Sequence, residues 1–171
     1  MTTATSTSQL SDDFRRAFRR HPAGVTVVTA HGRSGPAGLT SSSVSSVSAD
    51  PAILGFSLQS VRGSAAEIAE AGSLLIHMLT AENVELARRF ATPGRPRFGV
   101  ETAWSPLATG EPLLHGTGTV LRCTPLSTTA AGTALVVVAA VLQVLEPDSL
   151  AAPLVYSDRE YHCVNSWTAL R

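Results

Sequence analysis

Seven hydroxyl side chains crowd into the nine residues Thr40–Ser48, TSSSVSSVS, interrupted only by Val44 and Val47. Such a run places many small donors and acceptors close together. As a flexible serine-rich linker it would do no chemistry. Held in order, it suits gripping the polar edge of a flat ring through hydroxyl and backbone groups. Strand-like sequences on both sides favour the ordered reading. A second segment, Ser60–Ser64 (SVRGS), opens a helix. Free N–H groups and a positive dipole end favour a phosphate there. Ser60 and Ser64 add hydroxyls, Gly63 admits close backbone approach, and Arg62 adds charge. A competing use exists, because Ser64-Ala65-Ala66-Glu67 has the form of a capping box, in which Ser64 would serve only its own helix. A third segment carries Arg88, Arg89, Arg95 and Arg97 around Phe90 and Phe98. Arginine forks bind phosphate bidentately, although a solvated helix face would use the same residues. The two phenylalanines read as core or lid.

Other chemistries lack their residues. The chain has 171 residues, and all thirteen of its basic residues are arginine. Without lysine, neither a Schiff base nor a P-loop lysine is available. No GxGxxG occurs. Gly116-Thr117-Gly118 reads as a bulge or close-packing point within a strand. The five histidines have no metal-ligand spacing. His31 reads as an exposed turn residue, and His77, inside LLIHML, as a satisfied core histidine. Cys123 and Cys163 form no CxxC and read as reduced thiols of a cytoplasmic protein. Thirteen acidic residues balance the arginines, which argues against a nucleic-acid partner. The longest apolar run, Ala134–Leu142, is far below the roughly 20 residues of a membrane span.

The positioning elements follow from periodicity. Residues 1–10 read as a disordered tail and 11–171 as one domain. Ser11 caps a helix with Phe14, Ala17 and Phe18 on one face, ended by Pro22. Strands are predicted at Gly24–Ala30, Leu39–Ser48 and Ala52–Leu58, then a helix over 65–71. A strand at Leu74–Leu79 and a helix opened by Thr80 follow, with Val84, Ala87 and Phe90 on the inner face. Further strands are predicted at Leu113–Thr124, Ala134–Leu145, and Leu154–Tyr156 pairing onward to Tyr161–Val164. Strands dominate without regular strand–helix alternation, so a mainly β fold with short helices is expected, a barrel rather than a doubly wound sheet.

In this order the segments FRRAFRRHPAGVTVVTA, GLTSSSVSSVSADPAILGFSL, ELARRFA, EPLLHGTGTVLRCTP and PLVYSDREY resemble the short-chain flavin reductase family. The likeness spans about residues 12–165. It implies an FMN-binding split β-barrel and a homodimer. It also implies a flavin oxidoreductase that uses NADH or NADPH to reduce FMN or FAD for a partner monooxygenase. By the same resemblance Thr40, Ser41, Ser42, Ser43, Ser46, Val47 and Ser48 line the isoalloxazine ring. Ser60, Ser64 and Arg89 hold the phosphate, with Phe90 and Arg97 nearby. No metal is implied.

One stretch departs from the family. Where Gly-Asp-His commonly seats the nicotinamide, this chain reads Gly132-Thr133-Ala134. Two alternatives follow. One is a flavoprotein of the same fold acting on an organic substrate. The other is a non-catalytic module carrying flavin or haem, with His31, His115 or His162 as conceivable ligands.

Overall fold

The computed structural model describes residues 7–147 and 151–170. Helix α1 (Thr7–Arg19) leads into strands β1 (Ala23–Gly24), β2 (Thr26–Gly32), β3 (Gly35–Ser41), β4 (Ser45–Ala49) and β5 (Ala52–Leu58). Helix α2 (Ser64–Glu70), β6 (Leu74–Met78) and α3 (Val84–Ala91) follow. The chain continues with β7 (Trp104–Pro106), β8 (Pro112–Leu114), β9 (Val120–Ala131), β10 (Ala134–Leu145), β11 (Leu154–Ser157) and β12 (Glu160–Cys163). The protein is mainly β, and the strand pairings between these elements are antiparallel. The main sheet has the order β3-β2-β6-β9-β10-β5-β4, flanked by β1-β11-β12 and the β7-β8 ribbon.

Several elements differ from the sequence reading. Helix α1 starts at Thr7, four residues before Ser11, while residues 1–6 lie outside the described residues. The face that carries Phe14 and Phe18 is uncovered among the described residues, at 60% and 58% exposure. The single strand expected over 39–48 is two strands joined by a turn at 42–44. Ser43 makes that turn: its Oγ accepts from the Ser57 N–H at 2.9 Å and contacts Ser41 Oγ at 2.9 Å. The strand expected over 113–124 is likewise split, because Gly116 turns the backbone at φ +70°. Gly118 is a close-packing point, as expected, but lies in the loop before β9; a Cβ there would sit 2.8 Å from the Met78 carbonyl.

The β-branched and leucine residues of β2, β5 and β6 fill one core cluster with Ile68 of α2. A second cluster joins Val25, Val27 and Leu79 to Ala87 and Phe90 of α3. Helix α3 sits unusually close to β3. A Cβ on Gly38 would lie 2.6 Å from Phe90 Cε1, so only glycine permits this contact. Thr40 Oγ1 fixes the same approach by donating to the Ala87 carbonyl at 2.7 Å.

His77 is fully buried between β2 and β8 and is fully satisfied. Its Nε2 accepts from the Leu114 N–H at 3.0 Å. The proton therefore resides on Nδ1, which donates to the Val27 carbonyl at 3.1 Å. Burial lowers its pKa from 6.5 to about 4, against the raising effect of the Val27 bond. Between those values the unfolded chain binds the extra proton and the folded chain does not. Stability is therefore complete above pH 6.5 and falls as pH drops toward 4, by about 3 kcal/mol in all. Urea titrations at steps between pH 7 and 4 should show this loss. In His77→Leu the pH-dependent part should shrink, and stability at pH 7 should drop by about 2–3 kcal/mol as the Leu114 N–H and Val27 carbonyl lose their partner.

Candidate functional site

The hydroxyl run lies where β3 ends against α3. Leu39, Thr40, Ser41, Ser42 and Ser43 form one wall of a cavity of about 260 Å³. Ser57, Gln59 and Ser60 at the end of β5, Ala65 of α2, Phe90 and Ala91 of α3, and Arg97 complete it. A second lobe of about 200 Å³ shares Thr40, Ser42 and Ala91 and adds Val25, Tyr156 and Tyr161. Together they make a groove with a hydroxyl- and arginine-rich end and an aromatic end.

The polar end is built by three segments. After β5 the chain turns through Ser60, whose Oγ accepts from the Arg62 N–H at 3.1 Å. Gly63 then takes φ +57°, a left-handed conformation suited to glycine, and opens α2. Ser64 is the first residue of α2 and caps nothing. The expected capping box is absent because Glu67 turns elsewhere, accepting from Arg33 N–H at 2.6 Å and Ser34 Oγ at 3.1 Å. Ser64 Oγ instead accepts from Arg97 Nη1 at 2.7 Å. That bond ties the 92–98 segment to the start of α2.

Arg97 has no carboxylate partner among the described residues, and its buried Nε has no hydrogen-bond partner. Burial alone lowers its pKa. A partly desolvated, uncompensated guanidinium flanked by serine hydroxyls fits an anionic oxygen-rich group such as a phosphate.

Of the twelve residues singled out from sequence, Thr40, Ser41, Ser42, Ser43, Ser60, Phe90 and Arg97 line the groove, and Ser64 joins it through Arg97. The other four lie elsewhere. Ser46, Val47 and Ser48 are on β4, paired only with β5 at the sheet edge, and line neither lobe. Arg89 pairs with Glu101 at 2.7 Å and also lines neither lobe. The haem-ligand candidates are scattered. His31 is the penultimate residue of β2, His115 contacts Ser105 Oγ at 2.9 Å, and His162 contacts the Ser157 carbonyl at 3.3 Å. None borders the groove, and among the described residues no metal-binding cluster exists.

Sequence reasoning missed the aromatic end. Tyr156 and Tyr161, the chain's two tyrosines, face each other across the β11–β12 hairpin with centroids 5.1 Å apart. The Arg88 guanidinium lies 5.7 Å from the Tyr161 centroid, a cation–π contact that steadies that ring. The pairing of β1 with β11, together with backbone bonds between Leu79 and Leu154, brings this hairpin to the groove. The Gly132-Thr133-Ala134 turn joins β9 to β10. Register places Leu135 opposite Leu58, one residue before Gln59 of the groove.

Residues 18–165 match the family described as flavin reductase like domain. The chain is 40% identical over 160 residues to an NADH:FMN oxidoreductase of Rhodococcus qingshengii, covering 92% of this chain and 83% of that protein. It is 34% identical over 149 residues to the actinorhodin polyketide dimerase of Streptomyces coelicolor, covering 86% and 82%. Among solved structures it is similar to the flavin reductase component of a bacterial two-component tryptophan halogenase. That match has a TM-score of 0.80 and 28% identity, covering 90% of this chain and 98% of that one. The chain belongs to the flavin reductase-like family.

Arg97→Ala should raise the flavin dissociation constant about 10- to 100-fold, the loss of charge-assisted hydrogen bonds worth about 1.5–3 kcal/mol. Arg89→Ala should change it less than about threefold, because Arg89 lines neither lobe and its charge is already paired with Glu101 at 2.7 Å. Titration of flavin fluorescence against each variant measures both.

Proposed function

We propose that the protein is an NAD(P)H-dependent flavin reductase that takes up FMN or FAD and releases it reduced to a separate monooxygenase. The observation that carries this reading is the groove itself: a hydroxyl wall leading to a half-buried arginine without a carboxylate partner among the described residues, in a member of the flavin reductase-like family. The relative named NADH:FMN oxidoreductase supports NADH and FMN as the first pair to test. The halogenase reductase component supports transfer of reduced flavin to a partner enzyme. The fold is read as an FMN-binding split β-barrel forming one domain, and the active species as a homodimer. Among the described residues no helix is long and apolar enough to cross a membrane.

Arg97, Ser60 and Ser64 would hold the phosphate, with Ser43 beside them. Thr40, Ser41 and Ser42 would meet the polar edge of the ring system, and Tyr156 and Tyr161 would close the far lobe. When bound, flavin supplies the hydride acceptor, so the chain need not supply a reacting group. Its own residues bind and orient. No carboxylate or imidazole is among the residues lining either lobe. The lining hydroxyl, backbone and arginine groups would therefore orient the bound ring system and donate hydrogen bonds to negative charge on it. Holding the nicotinamide falls to backbone, hydroxyl and tyrosine groups, because the Gly132-Thr133-Ala134 turn beside Gln59 offers no acid or imidazole.

That turn also favours a second reading, a flavoprotein of the same fold acting on an organic substrate. The polyketide dimerase relative belongs with it, being named for organic chemistry rather than flavin reduction.

Absorbance at 340 nm separates the two. Purified protein with FMN or FAD and NADH or NADPH should oxidise the nicotinamide above the uncatalysed rate in at least one pairing. Flavin binding with no such oxidation in any pairing would overturn the reductase reading in favour of the second. Thr133→Asp combined with Ala134→His should lower the KM for NADH, by about 3- to 10-fold if two hydrogen bonds are gained. An unchanged KM would dissociate this turn from the nicotinamide.

A further inference from the structure

A second cavity, of about 460 Å³, shares no lining residue with the groove and is larger than either of its lobes. It opens between the residues after β6, the loop that enters β9 and the end of β10. Leu107, Leu113, Leu114, Val120 and Leu145 give it an apolar floor. Two carboxylates border it, those of Glu82 and Glu146. None of the chain's arginines is among the described residues that line it, and the chain has no lysine.

The walls are fixed to one another by bonds within the chain. Asn83, which ends the helical turn Ala81–Asn83, donates from Nδ2 to the Gly116 carbonyl at 2.8 Å. Its Oδ1 accepts from the Thr80 N–H at 2.9 Å. The Gly118 N–H donates to the Met78 carbonyl at 2.9 Å and so holds the loop against the end of β6. Glu146 is oriented by Thr119 Oγ1, which donates to its Oε2 at 2.9 Å. Glu82 has no hydrogen-bond or ion-pair partner among the described residues. A cleft with low-dielectric walls and charge of one sign concentrates ions of the other sign. Phosphate-bearing molecules are therefore repelled here, whereas the arginine end of the groove attracts them.

We infer that this cavity is a second binding site, for a small organic cation whose ammonium group is held by Glu82 and Glu146 and whose apolar body rests on the leucine floor. Each part of the lining selects one part of the ligand. Carboxylates accept hydrogen bonds from a charged N–H donor. The leucines offer apolar contact alone, which an alkyl or aryl body uses and a bare metal ion does not. Among the described residues no cluster of metal-ligating side chains exists there or elsewhere. The inference does not depend on what the groove binds.

Calorimetric titration of the full chain with phenethylamine tests this, with FMN present in excess to fill the groove. Binding is expected with a Kd at or below about 1 mM. Hydrocinnamate, which has a similar body and the opposite charge, should not bind. Ethylamine, which has the charge and almost no body, should bind at least about 10-fold more weakly. Glu82→Gln combined with Glu146→Gln should weaken phenethylamine about 10-fold, the loss of two solvent-facing ionic contacts, and leave FMN binding unchanged. Amide chemical shifts should move at Gly116, Thr117 and Gly118 and stay in place at Ser41, Ser42 and Ser43. No binding of phenethylamine, equal binding of hydrocinnamate or of ethylamine, an affinity indifferent to both glutamine substitutions, or shifts confined to the groove would each overturn the proposal. Where the double variant does not fold, Glu82→Gln alone, on the exposed rim, gives the same decision. The same titration without FMN keeps the readings apart: a chain that takes phenethylamine but no flavin loses the reductase reading and retains this site.

Discussion

The contact on which the groove depends is the approach of Phe90 to Gly38. With no side chain at residue 38, α3 can press its buried phenylalanine onto β3, and Thr40 locks the spacing through the Ala87 carbonyl. The wall of hydroxyls and the helix that forms its opposite side are thereby held at one separation. Any larger residue at 38 would have to push α3 away from β3. Packed interiors do not absorb such displacement gradually. The groove's width is thus determined by an absent methyl group rather than by the polar residues that line it.

Two further ties bring distant segments to that groove. Arg97 to Ser64 joins the segment after α3 to the start of α2, 33 positions earlier. The β1–β11 pairing carries the tyrosine hairpin to the other end. His77 does comparable work behind the site, bridging β2 and the strand before β9 with both ring nitrogens. Thr40, Ser41, Ser43 and His77 are thus engaged in holding the frame, whereas the Arg97 guanidinium keeps a buried Nε without a partner.

Local pattern made much of this legible. The β-branched runs of β2, β5 and β6 marked core strands, and the hydroxyl run marked one wall of the groove. His77 was readable as core from LLIHML, because a histidine amid leucines must find partners inside. What was not legible depended on tertiary geometry. The Ser64–Glu67 spacing matched a capping box, but Glu67 found two donors in the β2–β3 turn and left Ser64 to Arg97. Arg89 and Arg97 were indistinguishable as types; Glu101 neutralises one and not the other. Ser46 and Ser48 continue the hydroxyl run, yet the turn at Ser43 sends them to the opposite edge of the sheet. No local signal could join Tyr156 to Thr40. The apolar stripe of α1 was legible from periodicity, but periodicity does not say what lies beneath a helix.

The rings of Phe90, Phe98 and Trp104 run edge to face, with successive centroids 5.3 and 5.2 Å apart. Phe90 is itself part of the groove wall. The chain has two tryptophans, and the other, Trp167, is 94% exposed. The molecule thus carries an indole two rings from the groove. Emission from Trp104 overlaps flavin absorption, so occupancy of the groove is written into the protein's own fluorescence, without a label.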